Sequence, residues 1–162
     1  MDKNANIGAL AAKTRSVYEQ YGLQYDAERS RLLFEKKWLR RFENLLPASA
    51  AILDAGCGGG EPIGRYFIEQ GYAVTGIDFA APMIELAKAR FPDSTWHRMD
   101  MRALDLPKSF QGIISWHSFF HLTPAEQRAT LARFAQHLQP EGLLLLTVGP
   151  DAGEVTGHVG GQ

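Results

Sequence analysis

Ile52-Leu53-Asp54-Ala55-Gly56-Cys57-Gly58-Gly59-Gly60 decides how the rest of this chain is read. An apolar run over residues 50–53 reaches Asp54 and then glycine at 56, 58, 59 and 60, with Pro62 where a helix would begin. A short apolar run bounded by turn residues reads as a buried strand. Glycine lets the main chain turn through left-handed conformations and lets a ligand come close to the backbone. Strand, glycine turn and helix start together form the place where α/β folds bind nucleotide-like cofactors. A glycine-rich turn that binds nothing is the plainer alternative.

The choice of cofactor turns on the residues around the glycines. Gly56 and Gly58 fill the first two places of the dinucleotide fingerprint G-x-G-x-x-G, but Glu61 stands in the third. A carboxylate there opposes a diphosphate, which seeks the positive end of the helix. A second apolar run over 72–77 ends in Asp78, twenty-two positions after Gly56. An acid at about that distance accepts hydrogen bonds from ribose hydroxyls. Taken alone, Asp78 also reads as a cap for a helix at Pro82. A third short strand, 95–98, runs into Met99-Asp100-Met101-Arg102, with Asp105 a weaker competitor in a solvated loop.

Asp54, Gly56, Gly58 and Gly60, followed in order by Asp78 and Asp100 at strand ends, resemble the motifs of the class I S-adenosylmethionine-dependent methyltransferases. S-adenosyl-L-methionine carries a sulfonium and an ammonium and no phosphate, so acids around the loop suit it. The resemblance implies a Rossmann-like α/β fold and a cofactor held by Asp54, Gly56, Cys57 and Gly58 of the loop. It implies that Asp78 takes the ribose with Phe79 and Met83 beside it. Asp100 then accepts from the adenine amino group and the Met101 amide donates to the ring. Trp116, at the end of the fourth strand, would line the methionine end, and the product would be S-adenosyl-L-homocysteine. Tyr25, with Tyr18 and Tyr21 as alternatives, would fold over the cofactor from the N-terminal helices. Residues 1–46 would then form a cap or lid on a core spanning 47–162.

His117 is the catalytic candidate. It follows the fourth strand, where the family's methyl-transfer centre lies, and an imidazole titrating near neutrality can act as a general base. The alternative is that it only shapes the pocket. His117 and His121 have a helical metal-ligand spacing, but no third ligand is evident, so no metal is expected.

Composition narrows the function classes. A length of 162 residues fits one domain. A net charge of −1 supplies no strong field toward nucleic acid or a membrane, which leaves a small-molecule methyl acceptor as the expected partner. Cys57 is the sole cysteine, so no internal disulfide forms, and a reducing, cytoplasmic compartment is expected. No apolar run approaches the roughly 18 residues of a membrane span.

The remaining pattern alternates helices and strands. Helices are expected over 9–21 and 27–46. In the second, Leu32, Glu35, Leu39, Phe42 and Leu46 share a face, with Trp38 and Leu45 beside them. Arg29, Arg31, Lys36, Lys37, Arg40 and Arg41 form its opposite face, which is expected to be solvated, contact with RNA or an acidic substrate being the alternative. Strands are expected over 50–55, 73–77, 94–98, 111–115 and 143–148, with helices from 62 to 70, from Pro82 to before Pro92, and from Thr123. Thr123-Pro-Ala-Glu126 is a capping box with proline at the first helical position. Apolar strands between amphipathic helices mean a parallel sheet covered on both faces.

The family's sheet has seven strands, and this chain supplies material for five. The tail after Val148 is too poor in apolar residues for two more. Strand five would present an unpaired edge, an association hazard that a C-terminally truncated chain or a homodimer through that edge would explain. The functional expectation is methyl transfer from S-adenosylmethionine to a small molecule. A nicotinamide-binding oxidoreductase and a non-catalytic S-adenosylmethionine-binding domain are the alternatives.

Overall fold

The computed structural model describes residues 3–30 and 32–149. In chain order its elements are α1 Lys3–Glu28, α2 Lys36–Glu43, β1 Ala51–Ala55, α3 Ile63–Glu69, β2 Ala73–Asp78, α4 Ala81–Arg90, β3 Thr95–Arg98, β4 Phe110–Ser115, α5 Pro124–His137 and β5 Leu138–Leu146. Short 3-10 turns occupy Met101–Ala103 and Phe119–His121. All strand pairs are parallel, in the order β3-β2-β1-β4-β5. From β1 the chain moves outward through β2 and β3, then returns to the far side of β1 with β4 and β5. This is a Rossmann-like sheet, and the reversal opens a crevice at the carboxyl ends of β1 and β4.

The core lies on both sheet faces. Ile52 and Ile114 pack with Leu39, Phe42, Phe67 and Ile84 on one side. Their neighbours Leu53 and Ile113 pack with Leu104, Phe110, Phe119 and Phe134 on the other. Successive strand residues therefore serve opposite faces and both are apolar, which is why these strands carry no polar alternation. Gly76 in β2 is required by the packing, because a Cβ there would lie 2.3 Å from the Trp96 ring.

The two ends of the chain depart from expectation. α1 runs through residue 28, well past 21, and α2 is confined to 36–43 rather than 27–46. The Ser30 hydroxyl accepts the Leu32 amide at 3.2 Å, and the Phe34 amide turns back to the Leu32 carbonyl at 2.9 Å, so the helical ladder is broken there. Of the expected apolar face, Leu39 and Phe42 are buried, while Leu32, Trp38 and Leu45 are exposed. Lys36, Lys37, Arg40 and Arg41 are solvated as expected. Arg31 lies outside the described residues.

At the other end, α5 stops at His137 and β5 begins at once, not at 143. Leu138 pairs with Phe110, the register slips around Glu141 (φ 61°), and regular pairing resumes from Gly112↔Leu143 to Ser115↔Leu146. Among the described residues the outer edge of β5 has no strand partner. The tail from 150 onward lies outside the described residues. No described helix is long and apolar enough to cross a membrane.

Candidate functional site

One cavity opens where the strands end. Gly56 and Gly58 line it from the β1 loop, Asp78, Phe79 and Met83 from the β2 side, and Met99, Asp100, Met101 and Arg102 from beyond β3. Trp116, His117 and Ser118 line it from beyond β4, and Thr14, Arg15, Tyr18, Tyr25 and Arg29 close it from α1 and the residue just past it.

The loop has the shape its glycines allow. Gly56, Gly58 and Gly60 have φ of 81°, 52° and 82°. At Gly56 a Cβ would lie 2.3 Å from Ser118 Oγ, so that position is closed to any side chain. At Gly58 a Cβ would meet nothing within 4 Å, so bare backbone faces the cavity. Asp78 holds this arrangement: its Oδ2 accepts the Gly58 amide at 3.0 Å and its Oδ1 accepts the Ala80 amide at 2.9 Å. One carboxylate thus fixes the loop, closes the turn that leads into α4 and still lines the cavity. Burial raises its pKa, and the two amide donors oppose the rise.

Asp54 and Cys57 lie behind the loop, off the cavity wall. Asp54 Oδ2 has no hydrogen-bond partner among the described residues. Burial pushes this carboxyl up to about 7, with Arg29 pulling it down and Asp78 pushing it further up. Burial likewise raises the Cys57 thiol well above its ordinary value, so the thiolate is disfavoured.

Asp100 is already engaged. It accepts the Arg102 amide at 2.9 Å and forms ion pairs with Arg102 at 2.8 Å and with Arg15 of α1 at 2.7 Å. Arg102 reaches on to Glu126, whose other oxygen accepts the Thr123 amide in the expected capping box. The Arg15 guanidinium also lies 5.2 Å over the Phe79 ring. Of the three tyrosine alternatives, Tyr25 and Tyr18 line the cavity and Tyr21 does not. The Tyr18 ring packs edge-on to Tyr25 at 5.5 Å and to His121 at 5.8 Å, and burial pushes its hydroxyl up to about 12.

His117 has φ 54°, an uncommon conformation for a side-chain-bearing residue, and its amide donates to Thr147 Oγ1 at 3.3 Å. Desolvation lowers the pKa of His117, aided by the Arg29 charge, and lowers that of His121, aided by His117. Both shifts favour the neutral imidazole. Ser118 Oγ lies 2.9 Å from Ser115 Oγ, and both lie within hydrogen-bond reach of the Ala55 carbonyl, so the two hydroxyl protons shared among these oxygens tie the β4 loop to the end of β1. At the back of the glycine loop, Arg90 pairs with Asp26 at 2.7 Å and donates to the Gly59 carbonyl at 3.1 Å, which anchors the end of α1. Among the described residues no group of three His, Cys, Asp or Glu side chains could hold a metal.

Residues 52–142 match the methyltransferase domain family, a stretch that covers more than half of the chain. This chain belongs to the methyltransferase domain family. The chain is 32% identical over 102 residues to the dTDP-3-amino-3,4,6-trideoxy-alpha-D-glucopyranose N,N-dimethyltransferase of Streptomyces venezuelae, covering 62% of this chain and 43% of that one. It is 30% identical over 141 residues to the putative methyltransferase YqeM of Bacillus subtilis, covering 82% and 55%. Among solved structures it resembles S-adenosylmethionine-bound CalS10, an amino pentose methyltransferase from Micromonospora echinaspora. That match has a TM-score of 0.66, 30% identity, and coverage of 80% of this chain and 56% of that one. The sugar N-methyltransferase KedS8 of Streptoalloteichus, at TM-score 0.71, 24% identity and coverage of 85% and 57%, shares the fold. The chain thus spans about half the length of these relatives.

The matched stretch of the methyltransferase domain contains the glycine loop, Asp78, Asp100, Trp116 and His117, but not α1. Arg15, Tyr18, Tyr25 and Arg29 therefore reach the cavity from outside the matched stretch. Arg29 was expected on a solvated basic face; it turns into the cavity instead because α1 ends just before it. Arg15 and Glu126 were not expected on the wall. Arg102 and Ser118 carried a hint, the first by following Asp100 and Met101 and the second by following Trp116 and His117 in the stretch expected to line the methyl-transfer centre.

Proposed function

We propose that this chain is the cofactor-binding part of an S-adenosylmethionine-dependent methyltransferase whose acceptor is a small molecule, an amine of an amino sugar being the class favoured by its relatives. The observation that carries the proposal is the family match, which spans the cavity's acids and bare glycine backbone. Gly58 offers backbone without a side chain, and Asp78 and Asp100 keep acceptor oxygens at the ends of neighbouring strands, which suits adenosine. Glu61 is buried at the start of α3 and paired with Arg65 and Arg90, which argues against a nicotinamide dinucleotide and its diphosphate.

When bound, S-adenosylmethionine supplies a methyl group activated by its sulfonium, and in-line transfer leaves a neutral thioether. The chain's own contribution is alignment and exclusion of water, which can supply several kcal/mol. Tyr18 and Tyr25 support a lid role for α1, anchored by Asp26–Arg90 and by Arg15–Asp100. α2 belongs to the core through Leu39 and Phe42 and not to the lid. Neutral His117 can take the proton that an acceptor amine loses as its nitrogen bonds the methyl. A cytoplasmic setting goes with this reading, since the lone thiol suits a reducing compartment. So does a second copy paired along β5, whose outer edge lacks a strand partner among the described residues.

The test is transfer of labelled methyl from S-adenosylmethionine to a panel of amino sugars and other amines. Label in an acceptor supports the enzyme. Cofactor binding with no transfer to any acceptor would leave a binding domain in its place.

A further inference from the structure

Asp100 has its acceptor capacity already taken. Its Oδ1 accepts the Arg102 amide at 2.9 Å and Arg102 Nε at 3.2 Å. Its Oδ2 faces Arg102 Nη2 at 2.8 Å, Arg102 Nε at 3.1 Å and Arg15 Nη2 at 2.7 Å. A carboxylate offers about four lone-pair sites, and these are spent. The Phe79 ring is claimed as well. The Arg15 guanidinium lies over it at 5.2 Å, and Tyr18 meets it edge-on at 6.5 Å. A single side chain of α1 thus holds both an acid and an aromatic face of the cavity wall.

The two arginines on Asp100 are not equivalent. Arg102 grips it with amide and guanidinium together and is held from behind by Glu126. Arg15 arrives from a separate helix through one nitrogen, and its side chain is 39% exposed. A pair with that exposure is weak and is screened by salt. A donor entering the cavity therefore displaces Arg15 before Arg102. The guanidinium is flat, carries N–H groups along its edge, pairs with a carboxylate in its own plane and rests its face on an aromatic ring. An amino-purine has the same flatness and an N–H group on its rim. Deepening the cofactor reading proposed above, on which it rests, we infer that Arg15 is a competing occupant of the adenine place. Arg15 must give up Asp100 and Phe79 before adenosine seats, so it sets the cofactor's affinity by opposing it. α1 as a whole need not leave, since Asp26–Arg90 at 2.7 Å and Glu19–Arg98 at 3.5 Å hold it at other points.

The sign of the effect separates this role from that of a binding residue. Calorimetric titration of the whole chain, with no acceptor present, is expected to show Arg15→Ala binding S-adenosylhomocysteine tighter than wild type by roughly threefold or more. The same gain is expected with 5′-methylthioadenosine, which keeps the adenosine and sulfur without the amino-acid tail. Glu19→Gln breaks a different ion pair of α1 without touching Asp100, and is expected to leave both affinities within about twofold of wild type. Raising sodium chloride from about 0.05 M to about 0.5 M is expected to narrow the gap between wild type and Arg15→Ala. Unchanged or weaker binding by Arg15→Ala, a gain confined to S-adenosylhomocysteine, an equal gain in Glu19→Gln, or a gap that salt does not narrow overturns the assignment of Arg15 while the cofactor reading stands. If neither wild type nor Arg15→Ala binds either ligand, both are overturned.

Discussion

Asp54 gives the most quantitative prediction. Its carboxyl is buried beneath the glycine loop, one oxygen has no partner among the described residues, and burial raises it from 3.8 to about 7. A raised carboxyl binds its proton more tightly in the folded chain than in the unfolded one. Between about pH 4 and pH 7 the folded state therefore holds more protons, and stability falls as pH rises through that window. At about 1.4 kcal/mol per tenfold change in proton affinity, the shift corresponds to on the order of 4 kcal/mol across the window. Asp54→Asn removes the titration and keeps the shape. Urea unfolding at a series of pH values reads the effect directly. The stability difference, variant minus wild type, is expected to rise by on the order of 4 kcal/mol from pH 4 to pH 8 and then level off. Asp78 and other titrating groups are common to both proteins and largely cancel. Parallel curves for the two proteins across that range would refute the assignment of a raised carboxyl to Asp54.

Two further outcomes are expected. Asp78→Ala should weaken S-adenosylhomocysteine at least tenfold, about 1.4 kcal/mol by calorimetry, because it removes both the expected ribose acceptor and the anchor of the Gly58 amide; unchanged affinity would remove Asp78 from the site. Phe134→Ala should cost about 3–5 kcal/mol in urea unfolding, because the ring is fully buried beside Phe119 in the core under α5, and a loss below about 1 kcal/mol would place that core elsewhere.

Much of the fold was legible because its signals are local. The runs 50–55 and 73–77 are apolar on both faces, Gly71 takes the left-handed conformation at the end of α3, and Thr123–Glu126 makes its capping box. These features need no knowledge of distant residues. α1 was misjudged because it carries no clear apolar stripe; its inward residues are tyrosines, arginine and threonine facing a cavity, not a core. α2 was drawn too long because a charged and apolar run continues through a break made by the Ser30 hydroxyl. β5 was drawn too short because its first residues, which include Pro140 and Gly142, pair out of register with β4 and carry no apolar strand pattern of their own.

The candidate site divides the same way. The glycines, Asp78 and Asp100 announce themselves by lying at strand ends. Arg15 and Arg29 reach the cavity from a helix far away in sequence, on long side chains whose direction only the packing of α1 decides. Ser118 lies in the stretch expected to line the site, but its structural tie was unreadable for a related reason. Its hydroxyl matters because Gly56 has no side chain and the Ala55 carbonyl lies within reach. Asp54, conspicuous in sequence, is carried behind the loop by the strand's alternation.

The most direct measurement is a paired titration of the whole wild-type chain with S-adenosylhomocysteine and with oxidised nicotinamide adenine dinucleotide. One equivalent of S-adenosylhomocysteine should bind at about micromolar affinity, near −8 kcal/mol, with no heat from the dinucleotide. Tight binding of the dinucleotide together with none of the thioether would contradict the account.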